Sequence, residues 1–66
     1  MEIICNSEPC QVEDGTSIEK YILLLDLNPD TVVVECNGQI VRREDYADFI
    51  MEEGAILELI RFVGGG

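Results

Sequence analysis

Three glycines, Gly64, Gly65 and Gly66, follow the strongly apolar run from Ile56 to Val63, and they are the stretch of this 66-residue sequence with the clearest chemical use. Glycine has no Cβ and takes up positive φ readily, so a terminal run of it is expected not to pack and to present a carboxylate free of side-chain obstruction. Elsewhere little suits catalysis: there is no histidine, and the carboxylate pairs Glu13 with Asp14 and Glu52 with Glu53 read as solvated turns. Cys5, Cys10 and Cys36 are an odd count without a Cys-x-x-Cys pair, a spacing that supplies neither zinc nor iron–sulfur ligation. Each lies in an alternating apolar pattern (Met1, Ile3, Cys5; Cys10, Val12; Val32, Val34, Cys36), which reads as buried structural thiols in a reducing compartment. A reactive thiol needs a cation nearby, and Arg42 or Arg43 approaching Cys36 in space is the available source.

Fourteen acidic residues against four basic ones give a formal charge of −10. That balance repels phosphate backbones and anionic lipid, so neither nucleic acid nor membrane is an expected partner, and basic protein surfaces are favoured. The longest uninterrupted apolar stretch, Tyr21 to Leu25, is far too short to span a bilayer, and no positively charged segment precedes an apolar one at the start. A cytoplasmic protein is expected. A chain of this length forms one domain that buries only about 60% of its unfolded surface, so nearly every apolar side chain is needed to close the core. A binding or carrier module fits better than an enzyme with a deep cleft.

The elements that must position the glycines follow from local pattern. "MEIIC" alternates, "NSEP" turns, and "CQVED" returns as the second strand of a hairpin. Thr16 and Glu19 have capping-box spacing and predict a helix of about three turns, with Ile18, Ile22 and Leu25 buried beside Tyr21 and Asn28-Pro29 ending it. In "TVVVECNGQIV", Asn37 and Gly38 suit a type I′ turn. "RREDYADF" reads as a short helical turn anchored by Tyr46 and Phe49, and Gly54 leads into the last strand, "AILELIRFV". On that strand Leu57 and Leu59 point one way while Glu58, Ile60 and Phe62 point the other, a side expected to face outward as a docking patch beside the tail. The alternative is that Phe62 folds back onto the helix. Hairpin, helix, hairpin, turn and strand predict an α+β mixed sheet of about four to five strands with one main helix on one face, comprising residues 1–63 with 64–66 as a flexible tail.

With "LNPDTVVVECNGQIV", "RREDY" and "RFVGGG" in this order, the sequence resembles, from Met1 to Gly66, the ThiS family of sulfur carriers of thiamine biosynthesis, within the ubiquitin-like β-grasp superfamily. Arg42 departs from the proline that many relatives place before the "RE" pair, which affects a turn and leaves the tail intact. The resemblance implies a ubiquitin-like β-grasp in which the Gly66 carboxylate is adenylated by a ThiF-like E1-type adenylating enzyme using ATP and Mg. Sulfur from a donor such as a cysteine desulfurase then gives a thiocarboxylate, which passes it to a ThiG-like thiazole synthase. On this reading Gly64 and Gly65 complete the tail, Ile60, Phe62 and Glu58 dock the partner, and the carrier binds no cofactor and catalyses nothing itself. The alternatives left open are a related carrier serving molybdopterin, tRNA thiolation or amino-acid synthesis, a ubiquitin-like protein modifier, and a plain interaction domain.

Overall fold

The computed structural model describes residues 1–62; the expected domain end at Val63 and the tail Gly64, Gly65 and Gly66 lie outside the described residues. Strands β1 (Glu2–Cys5) and β2 (Glu8–Gln11) form the first hairpin, and β3 (Val32–Cys36) and β4 (Gln39–Val41) the second. Both turn through two residues at positive φ: Asn6 (49°) with Ser7 (70°), and Asn37 (51°) with Gly38 (84°). These are the backbone signs that match a turn to the right-handed twist of its strands. The first turn is tighter than "NSEP" suggested, because Glu8 and Pro9 already pair with Cys5 and Ile4. Pro9 is tolerated because β2 is an edge strand, where a missing N–H costs no ladder bond.

The last strand, β5 (Ile56–Arg61), enters the middle of the sheet, giving the order β2-β1-β5-β3-β4. It runs parallel to β1 and antiparallel to β3. Helix α1 (Ile18–Leu24) covers one face. Its cap is Ser17, whose Oγ accepts from the Lys20 N–H at 3.1 Å; Thr16 instead donates its hydroxyl to the Glu13 carbonyl at 2.6 Å. The helix has two turns rather than three. Asp26 at φ 62° ends it, so Leu25 is left 43% exposed and Leu27 packs against the core in its place. Asn28 caps a short 3-10 turn at Pro29–Thr31 through the Asp30 N–H, 2.9 Å.

Ile3, Ile18, Tyr21, Ile22, Val34, Tyr46 and Leu57 are the centre of the core, each aliphatic side chain contributing roughly 1.5–3 kcal/mol by leaving water. Tyr46 follows a second 3-10 turn (Arg43–Asp45) and donates its hydroxyl to the Val32 carbonyl at 2.7 Å. Arg43 lies over the Tyr46 ring, 5.1 Å from its centroid, and pairs with Asp30 at 2.9 Å and Glu19 at 3.5 Å. Phe49, expected as the second anchor, is only partly covered. A mixed five-stranded sheet grasping one helix in this order is an α+β fold of the ubiquitin-like β-grasp type.

Candidate functional site

The side chains that lead to the glycines are placed by the alternation of β5. Leu57 is fully buried under the helix, and Leu59 is partly buried on the same side. Glu58, Ile60 and Phe62 are exposed on the other, so Phe62, 62% exposed, does not fold back onto the helix. Register enlarges this outward patch beyond what one strand shows. Ile4 on β1 stands beside Ile56, Val33 on β3 faces Ile60, and Glu35 on β3 faces both Glu58 and Ile40 of β4. Ile40, Ile56, Ile60 and Phe62 are each at least half exposed, with Ile4 and Val33 partly buried between them.

The sequence missed Ile4, Val33, Ile40 and Ile56 as members of this face. The apolar alternation of β5 hinted at Ile56, but the other three join it only through strand order. Glu35 and Glu58 place two like charges at the centre of the patch, an arrangement that a basic group from outside relieves. Contiguous exposed apolar area on an open sheet face suits protein docking rather than a catalytic cleft, and the glutamate pair within it departs from the charge-poor centre usual for such surfaces.

The thiols lie on the opposite face of the sheet. Only Cys36 is fully buried, and burial pushes its pKa up. Cys5 and Cys10 are half-buried rather than enclosed, because edge strand β2 covers that side thinly. Cys10 Sγ lies 3.2 Å from the Tyr21 hydroxyl. Burial raises the Cys5 pKa, and a hydrogen bond with Tyr21 offsets part of that rise. Arg42 is engaged with Glu44 and Asp45, and Arg43 with Asp30 and Glu19, so neither arginine activates Cys36.

Comparison with known proteins matches the whole chain, residues 1–66, to the model of the ThiS family. The chain belongs to the ThiS family. It is 29% identical to the sulfur carrier protein ThiS of Escherichia coli, with all of both chains covered. It is 36% identical over its full length to part of a thiazole synthase of Magnetococcus marinus, and 30% to part of one from Paramagnetospirillum magneticum. The chain spans 20% of the length of each of those synthases. Among solved structures, the thiamine biosynthesis protein (ThiS) of Geobacter metallireducens superposes with a TM-score of 0.84 at 26% identity, with both chains fully covered. The family match includes Gly64, Gly65 and Gly66, which lie outside the described residues; no helix among the described residues is long and apolar enough to cross a membrane.

Proposed function

We propose that this chain is a sulfur carrier for thiazole formation in thiamine biosynthesis, with the Gly66 carboxylate as the group that is loaded. The observation that carries this reading is the exposed outward row Ile56, Glu58, Ile60 and Phe62 along the central strand, which in sequence ends two residues before Gly64, within a ThiS-family match that covers every residue. The two thiazole synthases support the acceptor assignment, since a stretch like this chain and the synthase name occur in one polypeptide.

In chemical terms, a carboxylate is a poor acceptor because its oxygen is a poor leaving group. A ThiF-like enzyme with ATP and Mg supplies one: a Gly66 carboxylate oxygen attacks the α-phosphorus, pyrophosphate departs, and an acyl-adenylate results. The terminal sulfur of a persulfide, held by a donor such as a cysteine desulfurase, then attacks the carbonyl carbon and AMP leaves. A thiol cleaves the acyl disulfide, releasing the thiocarboxylate and leaving a disulfide behind. Glycine at 64, 65 and 66 suits this relay because an extended backbone without Cβ atoms threads a narrow channel and leaves the carbonyl open to attack. The carrier contributes the loaded end and the docking face, and the partners contribute catalysis.

Intact-mass measurement after incubation with ATP, Mg, a ThiF-like enzyme and a persulfide donor tests the proposal. The expected product gains the mass of one oxygen replaced by sulfur, with the change located at Gly66 by fragmentation. No ATP-dependent gain, or a chain recovered only as isopeptide adducts on lysines, overturns it; adducts would assign a ubiquitin-like modifier instead.

A further inference from the structure

We propose that the open side of β5 at Leu59–Arg61 is a strand-addition site, filled by an extended backbone segment of the activating enzyme as it takes hold of the glycine end. This inference rests on the carrier reading above. Backbone groups along β5 address its two neighbours alternately. Ile4 N–H donates to the Ala55 carbonyl, Asn6 N–H to the Leu57 carbonyl, and Leu59 N–H to Asn6 Oδ1, each at 2.9 Å, so the odd-numbered residues face β1. Asn37 N–H donates to the Ile56 carbonyl at 2.8 Å and Phe62 N–H to the Thr31 carbonyl at 2.9 Å, so the even-numbered residues face β3. By the same alternation the Leu59 carbonyl and both backbone groups of Arg61 face the β1 side.

That side is vacant among the described residues. β1 stops at Cys5, and the positive-φ turn at Asn6 and Ser7 sends the chain back into β2. β3 does not stop: Val32 pairs with Arg61, and Thr31 still accepts from Phe62. The central strand therefore outruns one neighbour only, leaving an edge of three backbone groups immediately before the glycines. Asn6 Oδ1 covers Leu59 N–H and keeps the edge short, as suits a site for a specific partner rather than for open-ended sheet growth.

The occupant follows from what the glycines lack. Gly64, Gly65 and Gly66 offer a partner only N–H groups, carbonyls and a carboxylate, so a protein that recognises them must pair with backbone. A segment hydrogen-bonded to Leu59 and Arg61 is already in register to extend along the residues that follow. Ile60 and Phe62 flank it on the outward face, which fits a strand with apolar side chains at alternate positions.

Amide hydrogen exchange of the labelled chain, free and saturated with the ThiF-like enzyme, tests this. The Arg61 amide should exchange fast in the free chain and at least about tenfold more slowly in the complex, while the Phe62 amide is protected in both. An Arg61 amide that stays fast in the complex overturns the proposal, and so does one protected in the free chain in proportion to concentration, which would give the edge to a second copy. Arg61→Pro removes the donor without touching the β3 ladder and should weaken binding roughly three- to tenfold. Arg61→Ala keeps the amide and should bind normally. Equal losses in the two variants would assign the effect to the guanidinium and overturn strand addition. If Arg61→Pro does not fold, the exchange measurement on the unaltered chain decides. A chain that gains sulfur while Arg61 stays unprotected refutes strand addition alone; one that neither binds the enzyme nor gains sulfur refutes the carrier reading and this inference together.

Discussion

Glu35 and Glu58 stand directly opposite each other on neighbouring strands, both on the outward face of the sheet, and no basic side chain among the described residues forms an ion pair with either. Like charges facing across a ladder cost roughly 0.2–1 kcal/mol. Glu58→Gln should therefore raise stability by about that amount, read as a higher urea midpoint at unchanged slope. The same change should slow association with the activating enzyme at low salt. A variant that is more stable but docks at the unaltered rate would mean that the pair is not used in recognition.

Charge on either face of β5 should separate docking from folding. Leu57→Asp places an unpaired carboxylate where the side chain is 1% exposed and should unfold the domain. Ile60→Asp and Phe62→Asp, at 50% and 62% exposure, should leave the circular dichroism spectrum native and weaken the enzyme complex by about 1–2 kcal/mol each. Leu59 is only partly buried, so Leu59→Asp should be milder than Leu57→Asp. Unfolding by the Ile60 or Phe62 variants would contradict the outward assignment.

One alanine added after Gly66 shifts the carboxylate by up to about 3.5 Å and, in the proposed mechanism, puts a methyl beside the carbonyl that would be adenylated. Since displacements of about 1 Å suffice to lose alignment, ATP–pyrophosphate exchange should fall by orders of magnitude while binding persists. Gly65→Ala should behave similarly and Gly64→Ala more mildly. Normal exchange by the extended chain would remove the glycines from the mechanism.

Burial raises the pKa values of Cys5, Cys36, Tyr21 and Tyr46 above their ordinary values of 9.0 for a thiol and 10.0 for a phenol. As pH rises past those values the unfolded chain releases protons that the folded chain still holds. Unfolding is thereby favoured, and stability should fall from about pH 9 upward. Tyr46→Phe removes the hydrogen bond to the Val32 carbonyl, so it should cost about 1–3 kcal/mol at neutral pH and make the fall above pH 10 shallower. Stability constant to pH 11 would show that these groups are not held neutral by the fold.

What the sequence disclosed was what local pattern encodes. Asn37-Gly38 announced its turn because few residues accept two consecutive positive φ values, and the alternation of β5 separated Leu57 from Glu58, Ile60 and Phe62. Thr16 and Ser17 are both able to cap, and only the structure shows that the hydroxyl of Thr16 is turned to Glu13. Leu25 has helical spacing from Ile18 and Ile22, yet the left-handed Asp26 stops the helix before that spacing can bury it. The wider outward face was illegible for a different reason. Ile4, Val33 and Ile40 reach it only through the parallel pairing of β1 with β5 and the register of β3, which are long-range facts that no window of sequence carries.

Because β5 lies at the centre of the sheet although it is the last strand in chain order, synthesis and assembly run out of step. The hairpins β1–β2 and β3–β4 can form early by local closure, and helix α1 packs against side chains of both, but the sheet has no strand that pairs with the two of them until β5 slots between them. Ile60, Phe62 and the charged pair at Glu35 and Glu58 become a single surface at that moment, and the glycines follow β5 directly. A full-length chain in which β5 has not yet been inserted thus carries the glycines without the assembled outward surface. On the proposed carrier reading, strand order makes folding a checkpoint that precedes loading.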